Sequence, residues 1–145
     1  PHSPGLLKLS VKSDYATRAV LSLARRFGST DAVRVEEIAR ENGLPPNYLV
    51  QILIELKSAQ IVKSVRGKSG GYLLARPPAQ ITFADVLASV DGPLFDTPAL
   101  ADDACPAQLR DAWKRLAEAL ESTAAKINFQ QLMEAGTDPA RMFYI

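Results

Sequence analysis

The chain has 145 residues and is 47% hydrophobic, enough for a packed core and too much for disorder, yet no apolar run approaches the roughly 18 to 20 residues of a membrane span. One cysteine excludes an internal disulfide, and no basic stretch followed by an apolar one marks a secretory leader, so a reducing cytoplasm is the expected location and no membrane partner is expected. The net charge of +1 conceals two unlike halves: residues 1–78 hold five Lys and seven Arg against six acids, and residues 79–145 two Lys and three Arg against ten, so the first half attracts polyanions and the second has another task.

Pro1 to Leu7 (PHSPGLL) carries the only histidine, His2, and reads as an appended or frayed arm outside the fold. A first helix is expected from a Ser13 or Asp14 cap to about Phe27. Tyr15, Ala19, Leu23 and Phe27 fall four apart, with Val20 and Ala24 beside them, giving one apolar stripe. In the next helix Glu36 and Glu37 sit in the first turn, where the dipole favours acids. Ile38 and Ala39 point inward, Gly43 closes the helix with a left-handed cap, and Leu44 staples the turn. Asn42 departs from the apolar residue usual at its place. Pro46 suits the first position of a third helix, which runs to about Ala59 with Tyr48, Leu49, Ile52, Leu53 and Leu56 at helical spacing.

These two helices and their tight turn read as a helix–turn–helix, a device for reading duplex DNA, or else as a plain αα-corner. The next segment favours the first reading. Ile61–Val65 and Tyr72–Ala75 are short β-rich runs around Arg66-Gly67-Lys68-Ser69-Gly70-Gly71, a basic hairpin whose cations suit a narrow minor groove or the backbone. Gly67-Lys68-Ser69 imitates the end of a phosphate-binding loop. That motif needs a glycine where Val62 stands and a helix where Tyr72-Leu73-Leu74 reads as strand, so nucleotide hydrolysis is set aside.

Beyond Pro77-Pro78, Thr82 and Asp85 form a capping box for a helix to Asp91, with Phe83, Val86, Leu87 and Val90 inward. Gly92 and Pro93 stop it. A loop over residues 94–106 holds Cys105, and one long helix is expected from about Gln108 to Glu134. Leu109, Trp113, Leu116, Leu120, Thr123 and Ile127 alternate steps of four and three, the rhythm of a helix packed along another helix. We read it as a homodimer interface, packing within its own chain being the alternative. Two-fold symmetry suits palindromic half-sites. No nucleophile–base pair is visible, so an enzyme is not expected. A winged-helix module with a protein or small-molecule partner is the competing class, and the basic Arg66 and Lys68 argue against it.

Lys8-Leu9-Ser10, Tyr15-Ala16, Arg18-Ala19, Ile38-Ala39, Tyr48-Leu49, Ser64-Val65-Arg66-Gly67 and Gly70-Gly71-Tyr72-Leu73-Leu74-Ala75 resemble the Rrf2 family of bacterial winged helix–turn–helix transcription regulators, from about Lys8 to Gln131. The resemblance implies a mainly α fold. Residues 8–78 would form the DNA-binding domain with a two-stranded β-wing. Residues 79–145 would hold a helix, a sensor-type loop (93–107) and a long dimerisation helix. It implies a homodimeric regulator, a repressor by family habit, bound to double-stranded operator DNA. Pro46, Asn47, Tyr48 and Gln51 would face the major groove and Arg66 the minor groove, while Lys12, Arg18 and Lys68 would meet phosphates. Tyr15, Ser69 and Gly70 complete the expected DNA-facing set. Val50 stands where some members read a base with an acid, which shifts the expected preference toward a thymine methyl.

Many members carry three cysteines in the loop and hold an iron–sulfur cluster. Here only Cys105 is present, aligned with the last of the three, and Gln108 stands where some members have a histidine ligand. A cluster needs about four soft ligands, so no metal and no cofactor are expected. Cys105 is left as a remnant thiol, a redox or electrophile sensor, or a link to a partner or small molecule. Its place before a helix N-terminus favours a thiolate, which Asp102 and Asp103 oppose.

Overall fold

The computed structural model of the protein describes residues 9–137. The arm Pro1–Leu7 with His2, and Lys8, lie outside the described residues, as do the last eight residues of the chain. Six helices and one two-stranded sheet follow in the order α1 (Val11–Ala24), α2 (Val35–Asn42), α3 (Pro46–Ser58), β1 (Val62–Val65), β2 (Gly71–Leu74), α4 (Phe83–Asp91), α5 (Ala107–Lys126) and α6 (Phe129–Thr137). The mainly α winged fold is as the sequence implies.

Helix α1 starts and stops three residues earlier than expected. Its cap is Ser10, whose hydroxyl oxygen accepts from the Ser13 amide at 3.2 Å. Ser13 is instead buried and its hydroxyl donates to Asp91. At the other end the Arg26 and Phe27 amides reach back only three residues, to Leu23 and Ala24, at 3.1 Å each. That tightening ends a helix ahead of Gly28, which takes φ +99°. Phe27 therefore leaves the stripe and is half exposed. Helices α2 and α3 hold to expectation: Gly43 is the left-handed cap at φ 64°, Pro46 opens α3, and Leu49, Ile52, Leu53 and Leu56 are buried.

The strands pair antiparallel from Val62↔Leu74 to Val65↔Gly71. The wing gains a third partner that sequence patterning did not suggest. Val33 exchanges both backbone hydrogen bonds with Tyr72, at 2.9 and 2.8 Å. The Thr82–Asp85 capping box is present, with bonds of 3.1 and 3.0 Å. Within the loop Pro98–Ala101 makes a short 3-10 turn.

The expected helix from Gln108 to Glu134 is two helices, broken at Ile127 and Asn128. The Gln131 amide donates to the Asn128 side chain at 2.8 Å, and the Asn128 amide to the Gln131 side chain at 3.1 Å, a reciprocal cap that restarts the chain as α6. The freed backbone is taken by the start of α4: the Phe83 amide donates to the Ile127 carbonyl at 2.8 Å and the Phe129 amide to the Ile81 carbonyl at 3.0 Å. The break drives Phe129 into the core, fully buried and stacked on Phe83 at 5.7 Å. The core joins Ala16, Val20, Ile52 and Leu56 to Val86 and Phe129, so it draws on both sides of position 78.

Candidate nucleic-acid interface

The α2–α3 corner is set by small residues and one polar pair. Ala39 is buried where the helices meet, and the Leu44 amide donates to the Ala39 carbonyl at 2.9 Å. Asn42, out of place by pattern, donates from Nδ2 to the Ser22 hydroxyl oxygen and to the Ile38 carbonyl, both at 2.8 Å. Ser22 on α1 is fully buried. The apolar residue usual here is replaced by a matched pair that ties α2 to α1.

With its apolar side in the core, α3 leaves Pro46, Asn47, Tyr48, Val50 and Gln51 exposed. Ile54, 46% exposed, continues this surface and was not anticipated. Tyr48 meets Tyr15 of α1 edge to face, with ring centroids 5.7 Å apart. The Arg18 guanidinium lies 6.0 Å from the Tyr15 centroid, pairs through two 3.0 Å bonds with Asp14, and donates to the Asn42 carbonyl at 3.2 Å. Tyr15, Arg18 and Tyr48 thus form one surface group, held by contacts worth a few tenths to about 1 kcal/mol each. Lys12, one turn before Tyr15 on α1, donates to Glu55 of α3 at 2.6 Å. Arg18 and Lys12 are therefore engaged with acids in the free protein, and any phosphate contact would have to exchange or share those partners.

On the wing, Arg66, Lys68 and Ser69 are exposed. The glycines there answer to space. A Cβ on Gly70 would lie 2.4 Å from the Val65 carbonyl oxygen, and one on Gly71 2.3 Å from the Val33 carbonyl oxygen. The tip closes on itself through the Gly70 amide and the Gly67 carbonyl, at 2.9 Å. Arg34 donates to the Lys68 carbonyl at 3.0 Å. Sequence reading passed over Arg34. Its signal would have been the pairing of Val33 with Tyr72, which no local pattern encodes.

Two carboxylates, Glu41 of α2 and Asp91 of α4, are held below their ordinary range. Glu41 is lowered chiefly by a hydrogen bond from Arg26, against the opposing effect of burial, with help from the Arg26 charge and the Ser22 hydroxyl. For Asp91 burial is the largest influence and pushes upward. It is outweighed by hydrogen bonds from Ser10 and Ser13 and by the Lys12 charge.

A family model described as "Rrf2: Iron-dependent Transcriptional regulator" matches residues 9–135. The chain belongs to the Rrf2 family. It is 33% identical to the HTH-type transcriptional regulator CymR of Bacillus subtilis over 96% of this chain and all of that one. It is 37% identical to a putative HTH-type transcriptional regulator of Mycobacterium tuberculosis over 80% of this chain and 74% of that one. The solved structure of CymR, the global cysteine regulator of B. subtilis, superposes with a TM-score of 0.77 at 31% identity, over 88% and 96% of the two chains. T. potens IscR gives 0.74 at 32%, over 94% and 92%. As an Rrf2 regulator of the CymR and IscR type, the protein is a DNA-binding transcription regulator.

The Rrf2 chain also presents a second face. On α5, Leu109 and Leu116 are 53% and 50% exposed, and Trp113 and Leu120 are exposed beside them. Its own fold covers the helix only in part: Ala124 is buried against Leu87 and Leu94, and Trp113 stacks on Phe95 at 5.9 Å. Thr123 and Leu120 border an apolar cavity of about 290 Å³ shared with Leu9, Phe83, Leu87 and Leu94. Ile127, expected on the stripe, sits at the helix break half buried, with its carbonyl accepting from Phe83.

The loop before α5 tests the family's iron chemistry. Cys105 is half buried, with Sγ 3.6 Å from the Pro106 carbonyl. Arg110 donates to the carbonyls of Asp102 and Cys105 at 2.5 and 3.1 Å, and the Asp102 side chain caps the Ala104 amide at 2.9 Å. A cluster draws on about four soft ligands. One thiol in this sequence, beside a carboxylate already used by its own turn, does not fit that donor set.

Proposed function

We propose that the protein is a homodimeric repressor that reads a palindromic operator. The observation that carries this reading is the exposed outer side of α3, with Asn47, Tyr48 and Gln51, beside a wing whose Arg66 and Lys68 are uncovered. Asn47 and Gln51 offer amides for adenine edges, Val50 a methyl surface for thymine, and Arg66 a cation for a narrowed minor groove. Pro46 sets the start of the helix, and Tyr15, Arg18 and Tyr48 brace its flank. Lys12, Lys68, Ser69 and the Gly70 backbone approach phosphate.

The exposed stripe of α5 supplies the two-fold contact through Leu109, Trp113, Leu116 and Leu120, with Ile127 at its inner end. Such a dimer presents two recognition helices to half-sites one helical turn apart. The protein works without an iron–sulfur cluster in this reading, and Cys105 is the one thiol through which binding could be modulated. Selection of duplexes from a random pool, followed by gel shift at two salt concentrations, tests it. A palindromic consensus bound by two chains and released steeply by salt is the expected result. Sequence-indifferent or absent binding would contradict it.

A further inference from the structure

We propose that Arg34 is a positioning residue of the wing: its guanidinium clamps the wing tip, so that Arg66 and Lys68 meet DNA from a preset loop. This rests on the DNA-binding reading for its consequence, though not for the clamp itself.

The paired strands end at Val65 and Gly71. Arg66 to Gly70 hang beyond them, and this stretch contains Gly67 and Gly70, which add chain freedom that must be lost on binding. Within it the Gly70 amide bonds the Gly67 carbonyl. Among the described residues, the hydrogen bond that reaches this loop from another element is Arg34 to the Lys68 carbonyl.

Arg34 is well placed for that work. It is the cap residue of α2, with extended φ −72° and ψ 149°, and its guanidinium, which has only donors, cannot cap the free amides of its own helix. Its backbone is fixed to the root of the wing: Val33, next to it, exchanges two hydrogen bonds with Tyr72. A Cβ on Gly71 would lie 2.9 Å from the Arg34 nitrogen. The absence of a side chain at Gly71 lets the wing root lie against the start of α2. Root and tip are then held from the same short segment, Val33-Arg34. The helix that follows, α2, packs on α3. The clamp therefore fixes the wing relative to the corner that carries the recognition helix. The donor is charged but the bond is exposed to solvent, so the clamp is worth no more than about 1 kcal/mol, a factor of about five.

The test compares wild type, Arg34→Ala and Arg34→Gln by hydrogen exchange in the free protein and by binding to duplexes selected from a random pool by the wild type. The clamp expects faster exchange in the peptide spanning residues 66–71 in both variants, with α3 unchanged. It expects operator affinity to fall roughly three- to fivefold, with the slope of log affinity against log salt unchanged. A slope reduced by about one in both variants would make Arg34 a phosphate contact and overturn the positioning role. Unchanged exchange over residues 66–71 would remove the clamp whatever the DNA result. Faster wing exchange in a protein whose wild type selects no duplex would uphold the clamp and remove the DNA reading.

Discussion

The Asn42 side chain donates to the hydroxyl oxygen of Ser22 at 2.8 Å, across the junction of α2 and α1, and Ser22 is fully buried. A polar pair here works only as a pair. Ser22→Ala takes the hydroxyl from a part-buried Asn42 amide and from the Glu41 carboxylate, and should cost about 1 kcal/mol. Ser22→Ala combined with Asn42→Leu removes both polar groups and should recover much of that loss. Urea unfolding of the four proteins checks this. A double variant as unstable as the sum of the singles would show that the pair is not coupled.

Arg66 on the wing is uncovered and has no role in the core. Arg66→Ala should weaken operator binding by about 1–3 kcal/mol and relax preference at the bases beneath the wing, with an unchanged melting temperature. Gln51→Ala should do the same at a different position in the site. Titration against a panel of singly substituted operators separates the two.

The α5 stripe is half exposed in one chain, so a charge placed on it leaves the folded core intact. Leu116→Glu should give monomers by sedimentation, with native helix content and an operator affinity lowered by more than tenfold. A dimer that survives this change would move the interface elsewhere.

Acid should destabilise the fold through Asp91 and Glu41. Both are held below their ordinary values of 3.8 and 4.5. A carboxylate lowered in the folded state contributes stability above its unfolded value, and that contribution disappears as pH falls through the folded value. The loss therefore lies below about pH 4.5. Asp91→Asn should lower the melting temperature near neutrality and show a smaller difference from wild type near pH 3. Equal differences at both pH values would deny the Ser10–Asp91–Ser13 linkage its charge dependence.

Cys105 carries the proposed modulation. Peroxide or a thiol reagent should change operator binding of the wild type and leave Cys105→Ser unaffected. Equal responses would remove the thiol from regulation. Protein purified without air should show a featureless visible spectrum, and charge-transfer bands would overturn the cluster-free reading.

Much of the fold was legible because its signals are local. Gly43 marks the left-handed cap, Pro46 a helix start, and Thr82 with Asp85 a box that closes as spelled. The errors came where tertiary contacts decide. Ser10 captured the start of α1 because its hydroxyl oxygen accepts from the Ser13 amide while its proton, like that of the Ser13 hydroxyl, goes to Asp91. Asn128 broke the long helix because Phe129 gains more in the core than on a solvent-facing continuation. Neither Phe129 nor Arg34 announces itself, since one needs α4 and the other the wing to acquire its role. The exposed residues of α3 were legible as the complement of its buried face. That Lys12 and Arg18 are already paired with Glu55 and Asp14 was not.

The salt dependence and stoichiometry of operator binding bear most directly on the reading as a dimeric DNA regulator. Two chains per palindromic duplex are expected, with log affinity falling steeply and linearly in log salt at a slope near −0.9 for each phosphate neutralised. One chain per duplex, or an affinity indifferent to both sequence and salt, would contradict it.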